Sequence, residues 1–247
     1  TAVDLTFASL AAPVLLVVST ATAQQVEWTR TFDDDQRGIW TEAVAYDESG
    51  IYQASGIAGA PPGDDDGFVR KVDFEGRVLW TRRVPYWKGD RVNRIAVDAT
   101  GTFISGRSED PERLQPPRVW VARLDSATGS LVWLRRLDAW AWSSIALHGD
   151  GIYRTGADAE GIHGAAFKLD RQGNPVWTVE MPGYAPLDLR IGADSLFVLS
   201  DEQWVIRLDF DGHELTRFAQ VTDIFVRGFG VDESGVVLFG GEGAVQE

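Results

Sequence analysis

The sequence predicts an all-β protein, a β-propeller of four-stranded antiparallel blades, of which about five are visible. An apolar strand that ends in Asp recurs at 68–73, 120–125, 165–170 and 204–209. After each of these strands comes a short link containing Gly and then another strand, a pattern typical of β-hairpins. No helical periodicity of useful length appears after the N-terminal segment. Radial repetition of four-stranded units of about 40–50 residues each is the signature of a propeller.

The second hairpin of each repeat carries three aligned positions. The repeated acids are Asp73, Asp125, Asp170 and Asp209, and the glycines that follow them are Gly76, Gly129, Gly173 and Gly212. The next strand carries Trp80, Trp133 and Trp177, whereas Thr216 stands there in the fourth copy. Gly at such turns supplies a positive φ, so we expect four tight hairpin turns.

The first hairpin of each repeat is equally regular and fixes the blade bounds. Asp-x-Ser/Thr-Gly occurs at Asp47, Asp98 and Asp232, a typical turn sequence. The predicted blades are 43–82, 94–135, 144–179, 187–217 and a partial fifth at 229–247. A strand at 26–32 matches the Trp-bearing fourth strand and would complete a neighbouring or closing blade. Since the fifth blade lacks the expected third strand, we expect a fragment of a larger ring.

Neighbouring blades cover the central strands on both faces, so these strands should be apolar on both sides. Period-two alternation assigns Val69, Val121, Ala166 and Val205 to one face and Val72, Leu124, Leu169 and Leu208 to the other.

A cation stands two residues before each repeated Asp: Lys71, Arg123, Lys168 and Arg207. We expect these cations to pair with acids along the strand or across blades. A charge pair repeated four times indicates structure rather than an active site.

The repeat resembles a known family. The stretch DDDGFVRKVDFEGRVLW, followed by RIAVDATGTFISG, is similar to the bacterial SBBP-type β-propeller repeat over most of 26–240. That resemblance implies a secreted or cell-surface propeller. Residues 124–133, LDSATGSLVW, also resemble the tryptophan-docking repeat of PQQ-type quinoprotein propellers, which would imply an alcohol or sugar dehydrogenase. The adjacent Cys pair of many such enzymes is absent from this sequence, and no cofactor-binding set carries over.

Charge and composition restrict the function classes. The 247 residues carry a formal net charge of −14, which disfavours nucleic acid and anionic membranes as partners.

Residues 1–23 resemble a signal peptide that lacks its beginning, with an apolar run at 5–18 and a small-x-small cleavage signal ending at Ala23. A retained membrane anchor is the alternative. The sequence thus predicts a periplasmic, extracellular or cell-surface location, with no membrane span after cleavage. With no Cys, disulfides and Cys-attached haem or lipid are excluded.

Candidate binding residues lie in the loops, where propellers of this kind vary. Loops from strand two to three, and from strand four to the next blade, emerge on one face, which we call the loop face. The aromatic residues predicted to lie at its mouth are Trp40, Tyr86, Trp87, Trp140, Trp142 and Tyr184. Exposed rings there would stack on sugars or grip a protein partner. The alternative is that these rings pack between blades and cover the core.

Metal and catalytic signals are weak. Asp64, Asp65 and Asp66 are hard-oxygen candidates for Ca²⁺, but their spacing matches no known loop, and a solvated acidic loop is the better explanation. We therefore predict no cofactor and no catalytic residue. The predicted function is a non-catalytic scaffold that binds a protein or carbohydrate ligand through its loop face. The alternative is a fragment of a quinoprotein-like dehydrogenase or carbohydrate-active propeller enzyme, since the fold is compatible with both.

Overall fold

A computed structural model describes residues 39–57, 66–84, 90–108, 118–137, 144–157, 163–183, 185–202, 204–218, 224–232 and 235–242. Throughout these ranges the regular structure is β-strand, and no helix occurs in them. The predicted signal peptide at 1–23 and the predicted strand at 26–32 lie outside the described residues.

Four blades have four strands each. Blade one contains β1 (Ile39–Asp47), β2 (Gly50–Ile57), β3 (Asp66–Val72) and β4 (Val78–Val84). Blade two contains β5 (Asp90–Asp98), β6 (Gly101–Ser108), β7 (Arg118–Leu124) and β8 (Leu131–Leu137). Blade three contains β9 (Ile145–His148), β10 (Gly151–Ala157), β11 (His163–Asp170) and β12 (Pro175–Pro182). Blade four contains β13 (Pro186–Ile191), β14 (Leu196–Ser200), β15 (Val205–Leu208) and β16 (Glu214–Phe218). The strands β17 (Ile224–Asp232) and β18 (Gly235–Glu242) form a two-stranded sheet, which we call blade five.

Strands pair antiparallel and in chain order within every blade. The first strands β1, β5, β9, β13 and β17 contact one another in succession, which places them on the inner side of the assembly. The fourth strands consequently lie at the outer edge of each sheet. The prediction of an all-β fold with four-stranded antiparallel blades is therefore confirmed.

The second hairpin of each blade closes through its repeated Asp and Gly. In blade two, the Gly129 amide donates to the Asp125 carbonyl at 2.8 Å, and Gly129 has a φ of 70°. The Asp125 carboxylate accepts hydrogen bonds from the amides of Ala127 and Thr128 and from the Thr128 hydroxyl. A positive φ suits glycine, and the carboxylate satisfies turn amides that lack a strand partner.

These turn bonds should make stability sensitive to acid. Hydrogen bonds from the Thr128 hydroxyl and amide lower the pKa of Asp125 below its ordinary value. A carboxyl whose pKa is lower in the folded state stabilises the protein above the unfolded pKa, near 4, and loses that contribution as pH falls through the folded pKa. We expect the free energy of unfolding of Asp125→Asn to fall less than that of the wild type between pH 5 and pH 2, roughly the window in which such a carboxyl protonates.

Urea denaturation at successive pH values tests this expectation. The exposed acid Glu48, in the first hairpin turn of blade one, offers a matched control. Glu48→Gln should keep the wild-type profile. Identical acid profiles for wild type and Asp125→Asn would show that the turn carboxylate contributes nothing to acid stability.

Each repeated Trp joins its blade to the next. The indole N–H of Trp80 donates to the Ser126 carbonyl at 3.1 Å, that of Trp133 to the Arg171 carbonyl at 3.0 Å, and that of Trp177 to the Phe210 carbonyl at 3.1 Å. The acceptor lies in every case in the second hairpin turn of the following blade, beside the turn glycine. A Cβ on Gly129, Gly173 or Gly212 would come within about 3 Å of the docked ring. These three contacts therefore require both the tryptophan and the glycine.

The interior matches the predicted two-sided burial. The eight positions assigned to the two faces of the third strands are all buried: Val69, Val72, Val121, Leu124, Ala166, Leu169, Val205 and Leu208. Seven of them, all but Val72, pack with residues of adjoining blades in clusters that bridge neighbouring sheets.

The repeated cations behave differently from the expected pairing with the Asp two residues later. Each lies over the aromatic ring of the second strand: Lys71 on Tyr52, Arg123 on Phe103, Lys168 on Tyr153 and Arg207 on Phe197. Ion pairs form instead with the first hairpin turn, between Lys168 and Asp150 at 3.7 Å and between Arg207 and Asp194 at 2.9 Å. The repeated Asp carboxylates are occupied by turn amides, which explains the difference.

Candidate functional site

The first strands of blades one, two and four carry a bulge, and the residue after it, like its equivalent in blade three, differs in chemistry from blade to blade. Register shifts occur between Thr41 and Ala43, between Val92 and Arg94, and between Pro186 and Asp188. The corresponding residues are Ala43 in blade one, Arg94 in blade two, Ser144 in blade three and Asp188 in blade four. Polar side chains are thus concentrated on the inner strands of blades two to four.

A chain of hydrogen bonds links the inner strands of blades three, four and five. The Ser144 hydroxyl donates to Asp188 Oδ1 at 2.7 Å, and Arg190 contacts Asp188 Oδ2 at 2.7 Å. Arg190 Nε also donates to the Phe229 carbonyl at 3.2 Å. Ser144 is buried, whereas the Arg190 side chain is 46 % exposed. Asp188 and Arg190 are therefore already paired with each other.

The interface between blades two and three has a different character. Arg94 is half-buried and donates to the Asn93 carbonyl at 2.8 Å. It pairs in register with Ser105, which pairs with Val121. Ile95 and Val97 lie on the opposite side of β5 from Arg94, and they pack in the core shared with blade one. By alternation, the row of Arg94, Ser105 and Val121 faces blade three.

Arg154 lies on the facing row of blade three. It pairs with Ile145 on β9 and with Phe167 on β11, and Ile145 packs against the cluster that contains Val121. The Arg154 side chain is fully buried. None of its three guanidinium nitrogens has a hydrogen-bond partner among the residues that the structure describes. Burial lowers the pKa of Arg154 to about 9, so the group remains cationic at neutral pH.

The repeat itself shows that Arg154 is unusual. The equivalent residues are Gln53 in blade one, Ile104 in blade two and Val198 in blade four, and the last two are fully buried aliphatic residues. A buried charge is costly unless it is paired, so an aliphatic residue is the expected occupant of this position. Arg154 was not predicted from the sequence, because the repeat is clearest in the third strands. Comparison of the second strands places this one cation in line with Gln53, Ile104 and Val198.

The predicted loop-face residues are only partly described. Trp40 lies on β1, half-buried, with its ring against Gly56 and beneath the guanidinium of Arg91 at 5.7 Å. Its indole N–H donates to Glu42 at 2.8 Å. The other predicted aromatics, Tyr86, Trp87, Trp140, Trp142 and Tyr184, lie outside the described residues.

The predicted metal candidates also lie largely beyond the description. Asp64 and Asp65 are outside it, and Asp66 is described only as the first residue of β3. Within the described ranges, no group of three or more His, Asp or Glu side chains is arranged to hold a metal ion. The same ranges contain no helix with the length and apolarity needed to cross a membrane.

Comparison with known proteins supports the fold. No protein-family model matches the chain, and comparison with curated proteins gives no significant match. The solved structure of the Dos1 propeller is similar with a TM-score of 0.57 at 13 % identity, over 81 % of this chain and 55 % of that one. The computationally designed Ika8 protein is similar with a TM-score of 0.50 at 12 % identity, over 82 % of this chain and 68 % of that one. The chain thus spans about half the length of the Dos1 propeller, and likenesses at this identity establish the fold.

Proposed function

We propose that this protein is a non-catalytic, exported propeller that binds a protein or carbohydrate ligand through its loop face. Export rests on the apolar run at 5–18 and the small residues that end at Ala23. If the leader is removed as proposed, N-terminal sequencing of the exported protein should begin at Gln24. The SBBP-type resemblance, which no comparison tests, is consistent with this location.

One observation carries the binding proposal: the repeated polar and aromatic residues of the blades are used for packing. The three docked Trp residues donate to the next blade, and the repeated Asp carboxylates accept from their own turns. The four repeated cations cover aromatic rings. These contacts recur from blade to blade, so they support a rigid framework rather than a reaction at one place. What differs between repeats is the loops, and variable loops on a rigid scaffold are where binding specificity usually lies.

Aromatic loop residues should carry much of the binding energy. Trp87→Ala and Trp140→Ala are each expected to weaken binding by about tenfold or more, because buried aromatic anchors dominate typical interfaces. Arrays of immobilised oligosaccharides and peptides would supply the probe, and calorimetry with the bound member would give the affinities.

An exposed aliphatic residue far from the loops provides the control. Val176 on the outer strand β12 is 54 % exposed, and Val176→Ala should leave affinity unchanged. Equal affinity of wild type and a variant lacking Trp40, Trp87, Trp140 and Trp142 would contradict the loop-face proposal. Thermal denaturation of every variant separates loss of binding from loss of fold.

A further inference from the structure

We propose that the interface between blades two and three contains a binding site for a small oxyanion, a carboxylate or phosphate group, held by Arg154. The site is separate from the proposed loop-face function and does not depend on it. It rests on a fully buried guanidinium that has no hydrogen-bond partner among the described residues.

The first argument is the unmet hydrogen-bonding capacity. A guanidinium carries five N–H donors in a planar fork that matches carboxylate and phosphate oxygens. Native proteins rarely leave a buried charge without a partner, since the unpaired group has lost its hydration and gained nothing in return. A bidentate oxyanion would satisfy two of the Arg154 donors with charge-assisted bonds.

The second argument is the charge of the surrounding interface. Arg94 and Arg123 lie on the blade-two face toward blade three, and Arg171 extends from blade three over Phe103 at 5.1 Å. The Arg123 Nη2 donates to the Thr100 carbonyl, and Arg171 is paired with Asp98 at 2.8 Å. Asp98 is thus committed to Arg171, and the charge of Arg123 acts on the Asp125 carboxylate. The remaining positive charges, those of Arg94 and Arg154, favour an anion.

The third argument is the chemistry of the walls. Ile145 and Phe167 flank Arg154 in register, and the facing row contributes Val121 and the Ser105 hydroxyl. Apolar walls keep the local dielectric low and strengthen a charge–charge interaction. Because Arg154 is fully buried between two sheets, the chemistry fits a small anion or the end of a slender ligand rather than a macromolecule. The half-buried Arg94 on the inner strand marks the side from which an anion would enter.

The test uses the full chain dialysed into Tris chloride, with sodium phosphate or sodium acetate titrated at constant ionic strength. We expect one of the two anions to raise the melting temperature saturably, because a ligand that binds only the folded state stabilises it. Arg154→Ile should weaken that anion's affinity by roughly tenfold or more, the usual loss for a charged hydrogen-bond partner. Arg154→Lys, which keeps the charge but not the fork, should retain part of the response.

Two controls keep the outcome decisive. Arg190→Met removes an exposed cation already paired with Asp188 and should leave the anion response intact. Arg154→Ile installs the kind of residue that blades two and four carry, so it should fold, and circular dichroism checks this.

A response to acetate alone assigns carboxylate ligands, and a response to phosphate alone assigns phosphate ligands. Equal stabilisation of wild type and Arg154→Ile, or no saturable response to either anion, would overturn the proposal.

Discussion

Trp133→Ala is expected to lower the free energy of unfolding by about 2–4 kcal/mol, the range for truncating a large, partly buried aromatic side chain. Trp133 packs on Phe103 of its own blade, with ring centroids 6.2 Å apart, and on Gly173 of the next blade. Its indole N–H donates to the Arg171 carbonyl at 3.0 Å. The substitution removes packing within blade two and the link to blade three at once.

A second variant separates the two contributions. Trp133→Phe keeps an aromatic ring but lacks the donor, so it should cost about 1–2 kcal/mol from the unpaired Arg171 carbonyl and the smaller ring. Urea denaturation monitored by circular dichroism gives both values. Val132, the preceding residue on β8, is 51 % exposed, and Val132→Ala should change stability by less than about 0.5 kcal/mol. If Trp133→Ala destabilised no more than Val132→Ala, the docking contact would have no energetic importance.

Arg154→Ile is expected to stabilise the anion-free protein by about 2–4 kcal/mol, the opposite sign to most core substitutions. The physical reason is desolvation of a charge that lacks a partner among the described residues. The fall of the pKa of Arg154 to about 9 corresponds to a penalty on the order of 5 kcal/mol for the charged form. Ile104 and Val198 show that an aliphatic side chain is accommodated at this position in two other blades.

The measurement is urea denaturation in Tris chloride at neutral pH. The slope of the free energy against urea concentration should be unchanged, so that the shift in midpoint reports stability. Gln53 occupies the equivalent position in blade one, half-buried and bonded to Thr41 at 2.7 Å. Gln53→Ile is therefore a matched control and should give little or no gain, because no buried charge is removed. A destabilised Arg154→Ile would show that the guanidinium is satisfied in the anion-free protein.

A gain in stability on removing Arg154, together with loss of the anion response, would indicate that Arg154 serves anion binding rather than stability. Proteins commonly retain destabilising groups where binding requires them, and a stability gain at the cost of function is the usual mark of such a site. The position would then serve packing in blades two and four, where it is aliphatic, and binding in blade three, where it is a cation.

The sequence by itself determined the strands, the turns and the two-sided burial of the third strands. Those features depend on residues close together in the chain. Gly129 takes a positive φ in the turn that begins at Asp125, and strand alternation puts Val121 and Leu124 on the sides that face different neighbouring blades. Because the same strand and turn patterns recur in every repeat, the sequence predicts the propeller. The partial fifth sheet was expected for the same reason.

Only the tertiary structure decided how the blades are joined and where a charge is left unpaired. Trp133 binds a backbone carbonyl 38 residues away, and a carbonyl has no side-chain signature in a sequence. The repeated cations all cover aromatic rings, and Lys168 and Arg207 pair with acids of the first hairpin turn. The repeated Asp carboxylates accept hydrogen bonds from turn amides instead. Arg154 became a candidate only when its burial could be seen together with the lack of a hydrogen-bond partner among the described residues. Pairing of a buried charge depends on which residues a neighbouring blade places opposite it.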